Sequence, residues 1–381
     1  MAISISSSSE GRFWSMNIAL IGTRGVPANY GGFETCVEEL GKRLVERGHQ
    51  VTVYCRNSYY KCKMTDYLGM HLVYLPNLKL KSLDTLSHTF FSIYHALFQS
   101  YDVLMIFNAA NSPALILPYL FRNKIAINTD GLEWKRGKWG KFAKQYYKFA
   151  EWLSTKLSDR VIADSVGIQN YYKATYGVES TYIAYGSEIS VSKKPELINS
   201  LGVTPGNYFL QITRFEPENN PLLTIQAYKR IKTDKKLVIV GGVPYESDYY
   251  RQILSEADNN VLLPGYIYDK ELLNELWCNC YAYIHGNEVG GTNPALLQTM
   301  GAGCFTIAID VPFSYDVLRD GGIYYKKCPI DLSKQMEWAL EHVSELDQYK
   351  AKAVQRIKTE YTWEKVADGY EQLFNEIVAR R

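Results

Sequence analysis

At 381 residues the chain is long enough for two or three domains. Its 42 Lys and Arg against 40 Asp and Glu leave it nearly neutral, which argues against a protein built to coat nucleic acid. With 46% hydrophobic and 22% charged residues, extended disorder is excluded as well. Seven scattered cysteines show no second pair at zinc-site spacing beside Cys278 and Cys280, so no metal is expected and a reducing cytoplasm fits the composition.

Residues 1–15 (MAISISSSSEGRFWS) lack the basic-then-apolar order of a signal peptide and read as a disordered leader. No apolar run approaches the roughly 20 residues of a membrane span, so a soluble chain is expected. Asn17–Gly22 is a short strand of the buried kind. After a glycine-rich loop, Phe33, Val37, Leu40 and Leu44 fall at helical spacing, and Gly48 supplies a stop before the strand Gln50–Cys55. Val103–Phe107, Ile125–Thr129 and Val161–Ala163 extend the same sheet, giving a first domain over 16–190. A Lys- and Pro-bearing linker spans 191–206. The alternation then restarts. Strands are predicted at Tyr208–Thr213, Lys236–Val240, Tyr281–His285 and Phe305–Ile309, with helices at Pro221–Ile231, Lys270–Cys278 and Pro294–Met300. This second domain covers 207–360, and 361–381 forms a terminal helix. The fold class is α/β: two doubly wound, Rossmann-like domains facing across a cleft.

Three turns precede helix starts: Gly22–Gly32, Arg214–Pro221 and Gly290–Pro294. In the last two, Asn220 and Asn293 stand as N-caps before a first-turn proline. Helix N-termini offer unpaired N–H groups and partial positive charge, which suit phosphate. All three turns follow strands, so they belong at carboxyl edges, where open α/β sheets bind ligands. Each alone reads as a connecting loop; together they point to an anion in the cleft. Neither G-x-G-x-x-G nor a P-loop is present.

The motifs IGTRGVPANYGGFET, DGLEWKRGKW (Asp130–Trp139), ADSVGIQNYY, TRFEPENN (Thr213–Asn220) and HGNEVGGTNPALLQTM (His285–Met300) carry a resemblance. The chain resembles the retaining GT-B-fold glycosyltransferases of family 4, rhamnosyltransferase-like subgroup, from about Asn17 to Ile377. The resemblance implies a hexosyltransferase without metal or cofactor, acting on a nucleotide-diphosphate sugar, dTDP-L-rhamnose, held by the second domain. The first domain would hold a saccharide or polyprenyl-linked acceptor for bacterial surface polysaccharide. UDP- or GDP-sugars are the alternative donors. A sugar-nucleotide 2-epimerase and a non-catalytic sugar-nucleotide binder are alternatives of another class. Retention would proceed by front-face attack, with the departing phosphate as base.

On that reading Arg214 is the main cation on the diphosphate, set against a surface ion pair with Glu216 or Glu218. The family's following lysine is here Asn219, so charge would come from Arg24, Lys135 or Arg136, also placed on the acceptor side. Two family glutamates fall on Gly290 and Gln298. Gly290, Gly291 and Thr292 would offer backbone N–H groups to sugar or phosphate beside Asn293, with Gly31 and Gly32 opposite. Gln298 would hold the ribose as an amide, or is a plain helix-surface residue. Asp130 either takes a proton from the acceptor or caps the DGLEW turn. Glu34 either steadies its helix dipole or meets the acceptor. His285 either touches the donor sugar or is a satisfied core histidine. Gly265-Tyr266-Ile267 matches the loop beside a thymine or uracil base. Residues 134–153 hold six Lys and Arg against one Glu among many aromatics, which suits peripheral contact with the inner face of a membrane or, equally, a helix with solvated lysines.

Overall fold

The computed structural model describes residues 15–28, 31–78, 83–136, 139–243 and 246–379. But for Ser15, the expected leader lies outside them, as do Asn29 and Tyr30 of the first glycine-rich loop. The first half runs β1 (Asn17–Ile21), α1 (Gly32–Glu46), β2 (Gln50–Arg56), β3 (Asp66–Tyr67), β4 (Met70–Leu75), α2 (Asp84–Ala96) and β5 (Val103–Phe107). A 3-10 stretch, Ala109–Leu115, leads into α3 (Ile116–Leu120), β6 (Ile125–Asn128), α4 (Lys141–Leu157), β7 (Arg160–Ala163), α5 (Val166–Tyr176) and β8 (Thr181–Tyr182). The second half runs β9 (Tyr208–Ile212), α6 (Pro221–Tyr228), β10 (Lys236–Val240), α7 (Asp248–Glu256), β11 (Val261–Gly265), α8 (Lys270–Asn279) and β12 (Ala282–His285). It continues with α9 (Pro294–Gly301), β13 (Thr306–Ile309), α10 (Pro312–Leu318), β14 (Gly322–Tyr325), α11 (Pro329–Glu341), α12 (Leu346–Glu360) and α13 (Trp363–Ala379).

The strands form two sheets, ordered β3-β4-β2-β1-β5-β6-β7-β8 and β11-β10-β9-β12-β13-β14. Every pairing is parallel except β3 with β4. Helices cover both faces, so the strands are apolar on both. Ile18 and Leu20 join the core beneath α1 and α13, while Ala19 and Ile21 face Ile93 of α2 and Tyr172 of α5. Strand order reverses between β1 and β5 in the first sheet and between β9 and β12 in the second. At such a switch point neighbouring loops diverge and open a crevice above the carboxyl ends of the strands.

α13 returns to the first half. Val366, Tyr370, Leu373, Phe374 and Ile377 lie in the same core as Val37 and Leu40 of α1. Each buried side chain of this size contributes roughly 1.5–3 kcal/mol. Arg47 adds ion pairs to Glu364, Asp368 and Glu371, and His49 meets Glu371 at 2.9 Å. The half-exposed pairs fix register more than they stabilise. The stretch between the sheets is not slack either. Glu275 of α8 accepts hydrogen bonds from the Lys193 and Lys194 amides and the Ser192 hydroxyl, which hold its carboxyl below the usual range.

Two expectations change. α6 ends at Tyr228 rather than Ile231. Asn220 stands at the N-cap position in a left-handed conformation (φ 58°) and its side chain caps nothing. Its Nδ2 instead donates to Gly286 O at 2.8 Å and to Glu288 at 2.6 Å, stitching the loops after β9 and β12 together. Asn293 does cap α9, accepting from the Ala295 amide at 3.0 Å.

Candidate active site

Arg214 follows β9 and His285 ends β12, so the two flank the switch point of the second sheet. The Arg214 guanidinium forms no ion pair with Glu216, Glu218 or any other carboxylate among the described residues. Its backbone, in contrast, is pinned: Arg214 O accepts from the Glu216 amide and from Asn219 Nδ2, at 2.8 and 3.0 Å. Asn219 is buried, and its own carbonyl accepts from Gln211. The amide standing in the lysine position thus shapes the arginine loop instead of supplying charge.

His285 is buried, and burial lowers its imidazole to about 4, so the ring is neutral near pH 7. Its Nδ1 has no hydrogen-bond partner. Beside it, Gly286 packs against Asn219 O so closely that a Cβ would stand 2.5 Å from that oxygen. On the far side of β9, Tyr266 lies against Gly242 and stacks on Tyr268, while Ile267 packs toward the core of the second half. The Gly265–Ile267 loop therefore borders the Arg214 crevice, since β11 pairs with β10 and β10 with β9.

Opposite stands the edge of the first sheet. Asp130, half-buried two residues beyond β6, has a left-handed backbone (φ 61°). It does not cap the following 3-10 turn, whose N-cap is Leu132. Burial raises its carboxyl to about 6, Glu133 adds to the rise, and Arg136 and Arg214 oppose it. Arg214 and Asp130 therefore face one another across the cleft. Arg136 is held by Glu133 at 2.7 Å, whereas Lys135 is exposed over the Trp134 ring.

The Gly290–Asn293 loop is the hinge of contact between the halves. A Cβ on Gly131 would come within 3.0 Å of Gly290 Cα, and one on Gly291 would fall inside the Asp164 carboxyl group. Thr292 Oγ1 donates to Asp164 O, and the Thr292 amide to the Asp164 carboxyl. Pro294 touches Gly32. Thr292 and Gly291 are thus engaged by the first half, while a Cβ on Gly290 would point into open space. Gln298, one turn after Pro294, is exposed and has no side-chain hydrogen bond.

Glu34 and Glu38 are buried one turn apart on α1. Glu34 accepts from the Arg24 amide and Glu38 from the Ala28 amide, at 3.1 and 2.6 Å, so both clamp the glycine-rich loop. Burial pushes the Glu34 carboxyl up. Arg24 lies over the Tyr59 ring, and a Cβ on Gly31 would meet Glu34 at 2.6 Å. Among the described residues, no three His, Cys, Asp or Glu side chains gather as metal ligands would.

Sequence reasoning passed over Asp164. It is 1% exposed, and burial, reinforced by Asp130, holds its carboxyl well above the usual range. The signal was available: Asp164 follows a buried strand directly, before a small N-cap residue, much as Asp130 follows β6.

These features define a class, the GT-B glycosyltransferase fold. The structure of sucrose-phosphate synthase from Thermosynechococcus elongatus superposes with a TM-score of 0.82 at 18% identity, covering 96% of this chain and all of that one. Anabaena HepE in complex with UDP gives 0.75 at 15% identity, over 95% of this chain and 100% of its own. The catalytic domain of starch synthase IV from Arabidopsis thaliana, bound to ADP and acarbose, gives 0.76 at 14%, over 96% and 100%. More specifically, residues 193–356 match the family described as Glycosyl transferases group 1. Residues 15–188 match a domain of unknown function, DUF1972. A 61-residue stretch is 39% identical to an uncharacterised 42.6 kDa protein in the cps region of Klebsiella pneumoniae, spanning 16% of each chain.

Proposed function

We propose that the protein is a retaining hexosyltransferase that moves L-rhamnose from dTDP-L-rhamnose onto a saccharide or lipid-linked acceptor for surface polysaccharide. The observation that carries this is Arg214, a guanidinium without a carboxylate partner, set at the switch point of the second sheet and facing Asp130. As the glycosidic bond to the donor breaks, negative charge accumulates on the departing diphosphate. Arg214 neutralises it, and the amides at the start of α6 add partial positive charge. On this reading no metal is needed, because the side chain supplies the charge. The departing phosphate takes the proton of the acceptor hydroxyl on the same face. Asp130 orients that hydroxyl and shares its proton. His285, neutral with Nδ1 unpartnered, accepts a hydrogen bond from a donor hydroxyl. Tyr266 and Ile267 border the base, and Gln298 reaches the ribose as an amide.

Nucleoside diphosphates in the similar structures, UDP in HepE and ADP in starch synthase IV, support a nucleotide-sugar donor for this chain. The capsule-region relative supports polysaccharide synthesis. Lipid-linked acceptors are met at a membrane, and the basic, aromatic stretch 134–153 supports peripheral contact on the cytoplasmic side. The test is a thermal shift of the purified chain against dTDP, UDP and GDP and their sugars, with and without EDTA. A shift with dTDP ligands, indifferent to EDTA and lost in Arg214→Ala, is expected. Shifts with UDP or GDP ligands alone would remove rhamnose from the proposal.

A further inference from the structure

The outer face of the first half exposes an unusual density of large apolar side chains. On α2, Phe90 and Tyr94 lie one turn apart, and Phe98, in the turn just past the helix end, is 72% exposed. The turn closing α3 presents Leu120 and Phe121, the latter 69% exposed. On α4, Phe142, Phe149 and Trp152 share one stripe, with Phe142 89% exposed and Phe149 stacked on Trp152. The three elements form one layer, because the 3-10 stretch Ala109–Leu115 and α3 contact α2 on one side and α4 contacts that 3-10 stretch on the other. Their inner sides pack toward the sheet, where Ile93, Ala96 and Leu115 are buried. Monomeric proteins seldom leave such a face uncovered.

Charge identifies the occupant. Segments 84–101, 109–124 and 134–157 together hold nine Lys and Arg, none of them on α2, against two acids, Asp84 and Glu151. Asp84 is paired with Arg56, and Glu151 is buried and bound by the Tyr171 and Tyr176 hydroxyls. Since the whole chain is nearly neutral, the remainder carries more acids than bases. Lys141, Lys144 and Lys156 of α4 make no ion pair among the described residues. Aromatic side chains at the level of lipid headgroups, ringed by unpaired lysines, match an anionic bilayer surface and no protein interface of ordinary composition.

We propose that this three-element face docks the protein on an anionic lipid bilayer, with α2 and α3 bearing on the lipid together with α4. The proposal deepens, and rests on, the peripheral-membrane reading of 134–153. Its consequence is positional. The inner side of α4 carries Tyr146, bonded to Ala110 O at 2.8 Å, and Tyr147, whose hydroxyl burial holds above the usual range, with Glu133 and, least, Asp130 adding to the rise. One helix, roughly 10 Å thick, therefore separates the bilayer from the acceptor side of the cleft. An acceptor with its apolar part in the membrane would present its polar end there.

The experiment is co-sedimentation of the full chain with vesicles of phosphatidylcholine alone or mixed equally with phosphatidylglycerol, without nucleotide sugar. Wild type is expected to bind the mixed vesicles, and to release as ionic strength rises from about 0.01 to about 0.15 M and charges are screened. Phe142→Ser/Phe149→Ser/Trp152→Ser on α4 and Phe98→Ser/Phe121→Ser in the turns closing α2 and α3 should each lower the partition coefficient roughly tenfold or more. These side chains are exposed, so melting temperatures should not fall. Absence of binding to mixed vesicles at low salt would overturn both this face and the reading of 134–153. Loss in the α4 variant with none in Phe98→Ser/Phe121→Ser would overturn the three-element face alone. A wild-type dimer that the same variants dissociate, without vesicle binding, would overturn the lipid assignment.

Discussion

Asp130 and Asp164 sit at the ends of neighbouring parallel strands, at the same edge of one sheet, yet they have different fates. Asp130 opens on the cleft, faces Arg214, and has a carboxyl raised only to about 6, poised to gain or lose a proton near neutrality. Asp164 is sealed under Gly291 and Thr292, its carboxyl held well above the usual range by burial, and engaged by the loop of the other half. Identical side chains one strand apart become a cleft-facing acid and a contact because one meets an opposing cation and the other meets glycine. What a carboxyl does here is decided by what the opposite sheet brings to it.

The largest expected effect separates the two directly. Asp130→Asn keeps shape but loses the group that shares the acceptor proton, and kcat should fall roughly 10²–10³-fold with KM for the donor little changed. Steady-state rates with donor and acceptor check it. Gly291→Ala comes next, because its methyl group would enter the space of the Asp164 carboxyl. It should lower kcat/KM about tenfold or more by holding the halves apart. Adding Asp164→Ala vacates that space and should restore part of the loss, a non-additivity that a double-mutant cycle measures.

The pH dependence of stability sharpens the comparison. Both carboxyls bind their protons more tightly in the folded chain, so each contributes stability that is complete below about pH 4 and lost as pH rises through its folded value. For Asp130 the window is about pH 4 to 6, and for Asp164 it starts in the same place and extends higher. Relative to Asp130→Asn, wild type should lose about 1–2 kcal/mol across that window, an amount reduced by the half-exposed position of the group. Thermal melts of both proteins at pH 4, 5, 6 and 7 read the difference. A wild type that gains on the variant as pH rises would reverse the sign and contradict the raised carboxyl.

Much of this arrangement was legible in the sequence. Central strands such as Val103–Phe107 are apolar on both faces and read as strands from composition alone. The edges were not: β11 (VLLPG) and β14 (GIYY) are half-buried at the sheet borders, and β4 alternates weakly. Pro264 is tolerated in β11 because that strand is at an edge. Arg214, His285 and Asp130 were legible as residues at or just beyond strand ends, and that is where the structure has them. The uses of Asn220 and Thr292 were not, since their hydrogen bonds run to residues distant in sequence or in the other half. No periodicity encodes such partners.

The smallest expected effect is the one that best tests the contrast. Asp164→Asn replaces a buried carboxyl by an amide of the same shape, which still accepts from the Thr292 amide through its carbonyl oxygen. The hydrogen bond is kept, so kcat should stay within about threefold of wild type and the melting temperature at pH 7 should hold or rise. The rise would come from removing a group whose charged form burial disfavours and whose folding therefore favours proton uptake. A loss matching that of Asp130→Asn would mean that Asp164 ionises while the halves work against each other. It would then belong with Asp130 among the groups that handle the proton, and its burial would mark only the closed state of the cleft.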